Sequence, residues 1–277
     1  MKYLLFLAFA LIVLQTTHAQ DIKSSLKSEF NQSSYFKSSL SYLSNSVYNG
    51  RQDSVITPYI TPMIGYFDKS GFYIDASLSY LANAQSRIDL TTIDVGYNFI
   101  AGDNFSGGVY ASKYFYNKNS TSVKSQMKGN IGANATYDAS FLSFSAGADL
   151  VLSQETDFIV NYGISHPFYL GESDDLWTIE PSITANSGTQ KFYQAQKTTR
   201  RGVASGVKVN GSTSFVILDY ELSAPVSYDA KKWGLSFTPT YALPQNPVSI
   251  TQPNGNVFVQ EKLSNVFYAE LSVYIKF

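Results

Sequence analysis

The residues of this 277-residue chain that could do chemistry are few, and they recur at a spacing of two. Asp219 and Glu221 put two carboxylates on one face of an extended segment, an arrangement open to acid–base work and equally to the lining of a polar wall. Asp75, Asp94, Asp149, Glu180 and Glu270 fall on the polar parity of other alternating segments, as do Tyr73, Tyr110, Tyr268 and Tyr274, with Lys276 and Lys37 supplying the opposite charge. Acidic rings favour cations in a pore, and interior tyrosines can stack on a sugar or another planar solute. The same groups could instead form a hydrogen-bonded plug that fills the interior. His166 sits in Ile164-Ser165-His166-Pro167, but the neighbouring Ser165 points to the opposite face, so a Ser–His nucleophilic pair is disfavoured and an interfacial histidine is expected. With two histidines and no cysteine, no metal site is expected, and no phosphate loop, EF-hand or nucleic-acid motif points to a cofactor or a nucleic acid.

The elements that must position these residues are strands. Phe267, Ala269, Leu271, Val273, Ile275 and Phe277 alternate with Tyr268, Glu270, Ser272, Tyr274 and Lys276, and similar segments recur along the chain. Only 15% of the residues are charged, against about 25% in ordinary globular chains, and 21 Tyr and 19 Phe stand in their place. The polar face is mostly Gly, Ser, Thr, Asn and Tyr, whereas strands facing water normally carry many Lys and Glu. The sheet therefore reads inside-out, with its apolar face toward lipid and its polar face toward a lumen, and in hydrocarbon it must close on itself.

About twelve strands are expected, with ten or fourteen as alternatives: 34–48, 54–67, 71–82, 87–100, 104–117, 128–138, 140–152, 156–170, 176–190, 212–224, 231–243 and 262–277. An even count sets short periplasmic turns at Asp68 to Ser70, Ala101 to Asp103, Asp138-Ala139, Gly171 to Asp175 and Ser227 to Ala230, and longer outer loops at Asn117 to Lys128, Gln190 to Gly211 and Pro244 to Glu261. Phe67, Phe72, Phe99, Phe105, Tyr137, Phe141, Phe168, Trp177, Trp233 and Phe277 lie beside the inner turns as an aromatic girdle. Ile88 and Leu90 are out of phase with Ile93 to Phe99, which calls for a bulge near Thr91, and Pro58, Pro62, Pro181 and Pro239 fall inside the expected strands. One outer loop carries Lys191, Lys197, Arg200 and Arg201 without an acidic residue and could meet lipopolysaccharide phosphates.

Residues 1–19 read as a secretory signal peptide, with Lys2, an apolar Leu4 to Leu14 and small residues before the expected cut. Residues 20–33 read as a periplasmic leader, either flexible or a short helix, and 34–277 as the barrel. The terminal Tyr-Ile-Lys-Phe, with Leu271, Val273, Ile275 and Phe277 on one face, resembles the C-terminal assembly signal of bacterial outer-membrane β-barrels, and the chain after residue 19 resembles that broad, porin-like class. The resemblance implies a closed antiparallel transmembrane β-barrel in the outer membrane of a Gram-negative-type bacterium, with outer-membrane lipid and the barrel-assembly machinery as partners. The expected function is passive, cation-preferring passage of small hydrophilic solutes. A non-conducting structural or surface-binding barrel is the alternative, a lipid hydrolase using His166 the third reading, and a water-soluble sandwich the last.

Overall fold

The structure, a computed structural model, describes residues 33–53, 55–83, 85–120, 122, 124–172, 175–191, 208–251 and 257–277. The expected signal peptide and the leader to residue 32 lie outside the described residues, as do Lys197, Arg200 and Arg201 of the basic loop. The strands run β1 (Tyr35–Leu43), β2 (Val47–Tyr48), β3 (Arg51–Gln52), β4 (Tyr59–Phe67), β5 (Phe72–Leu81), β6 (Arg87–Ala101), β7 (Phe105–Tyr116), β8 (Gly129–Ala139), β9 (Leu142–Leu152) and β10 (Asp157–Ser165). They continue with β11 (Phe168–Glu172), β12 (Asp175–Ile179), β13 (Ser182–Gly188), β14 (Lys208–Asn210), β15 (Val216–Ser223), β16 (Val226–Ala230), β17 (Trp233–Pro244), β18 (Ser249–Thr251), β19 (Val257–Gln260) and β20 (Val266–Lys276).

Fifteen of these form one antiparallel sheet that closes where β20 pairs with β1, Lys276 opposite Lys37 and Glu270 opposite Leu43. It makes twelve crossings, because β10 with β11, β12 with β13 and β15 with β16 are each one crossing interrupted by a proline: Pro167, Pro181 and Pro225. Proline has no N–H to give the ladder, so each interruption costs one rung. The carbonyls next to the breaks are still used: Pro181 accepts from the His166 N–H at 3.1 Å and Pro225 from the Glu180 N–H at 2.9 Å. Inside β17, Pro239 stands opposite Ala269 at a position where no rung is due, because the Ala269 N–H and carbonyl face β1 and bond Ser44, while the Pro239 carbonyl faces the Pro225 break and accepts the Ala224 N–H at 3.4 Å.

The outward parity is predominantly apolar, as lipid requires, with Ser38, Thr91 and the exposed Lys113, opposite Ile93, as departures. Phe36, Ile64, Ile74, Leu78, Val109, Ile131, Leu150, Ile164, Ile183, Leu235 and Val273 are exposed large hydrophobics, and the inward parity is polar. The sheet is a closed, twelve-crossing, antiparallel transmembrane barrel, the only kind of sheet whose backbone can be satisfied in hydrocarbon. Among the described residues no helix is long and apolar enough to cross a membrane. The phase slip anticipated near Thr91 is a bulge at Asp89: Ser79 pairs with Leu90, and the next residue, Tyr80, with Ile88. The extra residue returns Ile88 to the outside and drives Asp89, which is fully buried, into the interior.

Four expectations are corrected. Ser227 to Ala230 is strand and not turn, with Asp229 inside, because alternation runs on to Ala230 and the chain reverses at Lys231-Lys232. Likewise, strand continues through Gly171-Glu172 on one side of the next inner turn and resumes at Asp175. The first crossing ends at Leu43, and 47–52 folds as a separate hairpin whose Asn49-Gly50 corner has φ of 48° and 71°, the left-handed pair that a two-residue Asn-Gly turn needs. Phe67 leaves the girdle, its ring lying inside between Tyr35 and Tyr73.

One inner turn is pinned by a single side chain. Asp68 accepts from the Ser70 N–H (2.9 Å), the Ser34 hydroxyl (2.8 Å) and the Tyr66 hydroxyl (3.0 Å), tying the turn to the start of β1. Hydrogen bonds from Ser70, then Ser34 and Tyr66, favour the ionised form and hold this carboxyl well below its ordinary value of 3.8. A depressed folded-state pKa gives stability that is fully present above the unfolded value and lost as pH falls toward the folded one. The protection factor of the Gly71 amide, its exchange corrected for the intrinsic acid dependence, should therefore fall on acidification below about pH 4. Asp68→Asn should show a lower protection factor at neutral pH, with little further acid dependence.

Candidate functional site: the barrel interior

The interior is a lattice of tyrosines and carboxylates. The Tyr59 hydroxyl donates to Asp89 (2.6 Å), Tyr110 to Asp149 (2.8 Å), Tyr268 to Glu221 (2.9 Å) and Tyr274 to Asp229 (2.6 Å). Asn130 and Asn186 add amide donors at 2.8 Å to Asp149 and Asp219, and Ser165 donates to Glu180 at 2.7 Å. Asp75 and Asp94 face each other across β5 and β6. Carboxyl groups are thereby concentrated in the middle of the lumen.

Two of these tyrosines, and Tyr73 beside them, are seated on glycines. Tyr73 pairs with Gly96, Tyr110 with Gly132 and Tyr274 with Gly234 on the adjacent strand. A Cβ at any of these glycines would lie 2.4–2.6 Å from the nearest atoms of the ring. The missing side chain is the space that lets each ring lie over its neighbour's backbone instead of standing across the lumen.

The outer half is occupied by inward-folded loops. Arg51 of the small hairpin is buried. Its guanidinium donates to the carbonyls of Asn49 (3.0 Å), Leu218 (3.3 Å), Gln245 (3.1 Å) and Asn246 (3.2 Å), and its Nε lies 3.4 Å from Glu261. Beneath it Met127, Val151, Ile159, Leu218 and Val248 form an apolar cluster, with Tyr48, Tyr114 and Val216 against it. Asp89 accepts from Ser120 (2.7 Å) and Arg87 (2.8 Å), and Asp157 from Thr189 (2.5 Å) and the Lys191 N–H (2.8 Å), so the loops are bonded to the rim. Among the described residues, cavities of about 330 and 230 Å³ lie within the barrel, and both are bordered by Leu90, Tyr116 and Lys124. Lys124 lies over Tyr48 at 5.4 Å. Desolvation pushes its ammonium below the ordinary value, while the charges of Glu221 and Glu270 pull it back up.

The structure groups the residues singled out from the sequence into three places. Asp149 and Tyr110 border the larger cavity and Glu270 the smaller, while Asp219, Glu221 and Tyr268 lie beside the latch. Tyr73, Asp75, Tyr274, Lys276 and Lys37 belong to the inner end, and Glu180 stands apart with Ser165. Leu271, Val273, Ile275 and Phe277 face outward on β20. Asp219 is buried beside Asn186, near the Arg51 latch, and is walled off from any solute path. Ser165 and His166 point to opposite sides, the imidazole Nδ1 contacting the Phe141 carbonyl and its ring packing edge-on against Phe168 at 4.4 Å. Among the described residues no group of three His, Cys, Asp or Glu is placed to hold a metal ion. The interior residues not foreseen are Arg51, Lys124, Asp89 and Asp229. The Asn-Gly pair signals the hairpin that carries Arg51, and the alternation through Ala230 signals Asp229. No local pattern signals that the loop carrying Lys124 turns inward.

No protein-family model matches the chain, and no curated protein matches it. Among solved structures it is similar to the KdgM porin (11% identity, 87% of this chain and 99% of that one, TM-score 0.48). It is also similar to the NanC porin (10% identity, 87% and 100%, TM-score 0.46) and to an outer membrane channel from Pseudomonas putida F1 (8% identity, 89% and 96%, TM-score 0.46).

Gly132 offers the sharpest test of the seated rings, since a Cβ there would meet Asp149 Oδ1 at 2.4 Å as well as Tyr110. Gly132→Ala should destabilise the folded barrel by about 1–3 kcal/mol, read as a lower denaturant midpoint in detergent. Ala133→Gly, on the lipid-facing parity of the same strand, should cost less.

Proposed function

We propose that this protein is a porin-like channel of the outer membrane of a Gram-negative-type bacterium, passing small hydrophilic solutes with a preference for cations. The observation that carries the reading is a polar interior that still contains cavities of about 330 and 230 Å³, bordered by Asp149 and Glu270. A barrel built only as a scaffold would gain by filling such space with side chains. Acidic groups lining the path favour cations over anions. The lipid-facing apolar parity supports residence in a membrane, and the small, polar lining supports passage of water-miscible solutes.

A second reading has its own support. The Arg51 latch and the apolar cluster beneath it close the outer mouth in the conformation described, as a non-conducting barrel would be closed. On the channel reading this is the shut form, and the loops must move for solute to enter.

Two measurements test these readings on the refolded, detergent-purified chain in planar bilayers. Discrete conductance steps with a cation-selective reversal potential are expected, and replacing Asp149, Glu221 and Glu270 by their amides should move that potential toward zero. An unchanged potential would overturn the cation assignment. Removing one partner of a buried pair costs about 3–5 kcal/mol, so Arg51→Ala should release the outer loops, raising both their cleavage by protease and the fraction of time the channel conducts. Loops that are cleaved while the bilayer stays silent would favour the non-conducting barrel.

A further inference from the structure

The inner end of the lumen breaks two local rules at one place. Lys37 and Lys276 stand directly opposite each other on β1 and β20, and like charges so placed destabilise a sheet. Among the described residues neither ammonium has an ion pair within 4.0 Å. Both instead converge on one ring, their Nζ atoms 4.5 and 5.5 Å from the centroid of Tyr274, and each lies over a second ring, Lys37 over Phe67 at 6.0 Å and Lys276 over Tyr35 at 5.6 Å. The second departure is Phe67, an apolar ring turned into a polar lumen. It lies in a nearly parallel stack, 5.3 Å from Tyr35 at 8° and 5.6 Å from Tyr73 at 13°.

We propose that this inner mouth is a binding site for small planar carboxylates, the carboxylate held between the two ammoniums and the flat body lying against the ring stack. An anion between Lys37 and Lys276 turns their repulsion into two charge-assisted contacts at short range, which Asp229 and Asp75, acting on Lys37 from beyond ion-pair distance, do not make. The rings add a rigid, low-entropy surface that accepts a flat apolar body and leaves a purely inorganic anion with less to hold. Sequence folded against local preference without a structural gain marks a functional position, and here two such departures meet. Asp75, with Asp94 opposite it, and Asp229 stand beside this mouth, so an anion is held at the two ammoniums and not drawn further in, and the site exists whether or not the barrel conducts.

The test is equilibrium binding of benzoate to the full chain folded in detergent, with heat-modifiable gel mobility confirming the fold and calorimetry or saturation-transfer NMR as the readout. Saturable binding is expected, at least about tenfold tighter than that of benzamide, which keeps the ring and lacks the charge. Cyclohexanecarboxylate, which keeps the charge and lacks the flat face, should also bind more weakly. Lys276→Gln and Lys37→Gln should each weaken benzoate several-fold, and Phe67→Leu should erase the advantage over cyclohexanecarboxylate with the charge contribution left intact. Benzoate that does not saturate, that binds no better than benzamide, or that is indifferent to both lysine variants would overturn the site. Because no membrane or current is involved, a silent bilayer leaves this result untouched, and binding without conduction leaves the channel reading to its own test.

Discussion

The seam between β1 and β20 is the constraint on which everything else depends. A sheet in hydrocarbon has nothing but itself to bond to, so it must return to its own first strand, and an unpaired backbone group there costs several kcal/mol. Closure fixes the alternation: each residue faces either lipid or lumen. The prolines show how far the rule bends. Pro167, Pro181 and Pro225 interrupt three adjacent crossings, and the neighbouring carbonyls still find donors. Pro239 falls where β20 asks for no rung, and its carbonyl turns to the Pro225 break to accept the Ala224 N–H.

Closure also dictates what the interior must be. Polar side chains turned inward cannot all be left to water in so narrow a space, so they bond to one another, and tyrosine is suited to the task because it fills volume and donates one proton. The result is a wall of carboxyl groups, most of them held by a phenol, an amide or a hydroxyl. The loops extend the same logic outward, where Arg51 collects four carbonyls and a carboxylate from segments far apart in the chain.

Much of this was legible in the sequence because a period of two is a local signal and lipid makes it strict. The twelve crossings, the two faces and a bulge between Ile88 and Ile93 all follow from it, with the bulge displaced by two residues to Asp89. The misreadings share one cause. Where a strand passes a turn-rich stretch, as at Ser227 to Ala230, composition argued for a turn, while the parity of Tyr228 and Asp229 argued for strand and was the better guide. Asn49-Gly50 was absorbed into a long first strand although it is a strong hairpin corner. Phe67 was assigned to the girdle by proximity, yet its parity in β4 matches Tyr59 and Gly65 of the inner face. The inward fold of the loops is a tertiary event: Lys124 and Arg51 meet partners more than ninety residues away, and no window of sequence contains both sides of those contacts.

The tyrosines seated on glycines separate two properties that strand number usually couples. In a barrel the diameter follows from the count of strands, but here the usable bore depends on whether a ring can lie down on the strand beside it. Exchanging a single small residue on the inner face can therefore alter the passage while the backbone ladder and every lipid-facing side chain stay the same. Calibre becomes a heritable trait that can drift without endangering insertion, so one wall can serve descendants that sieve differently.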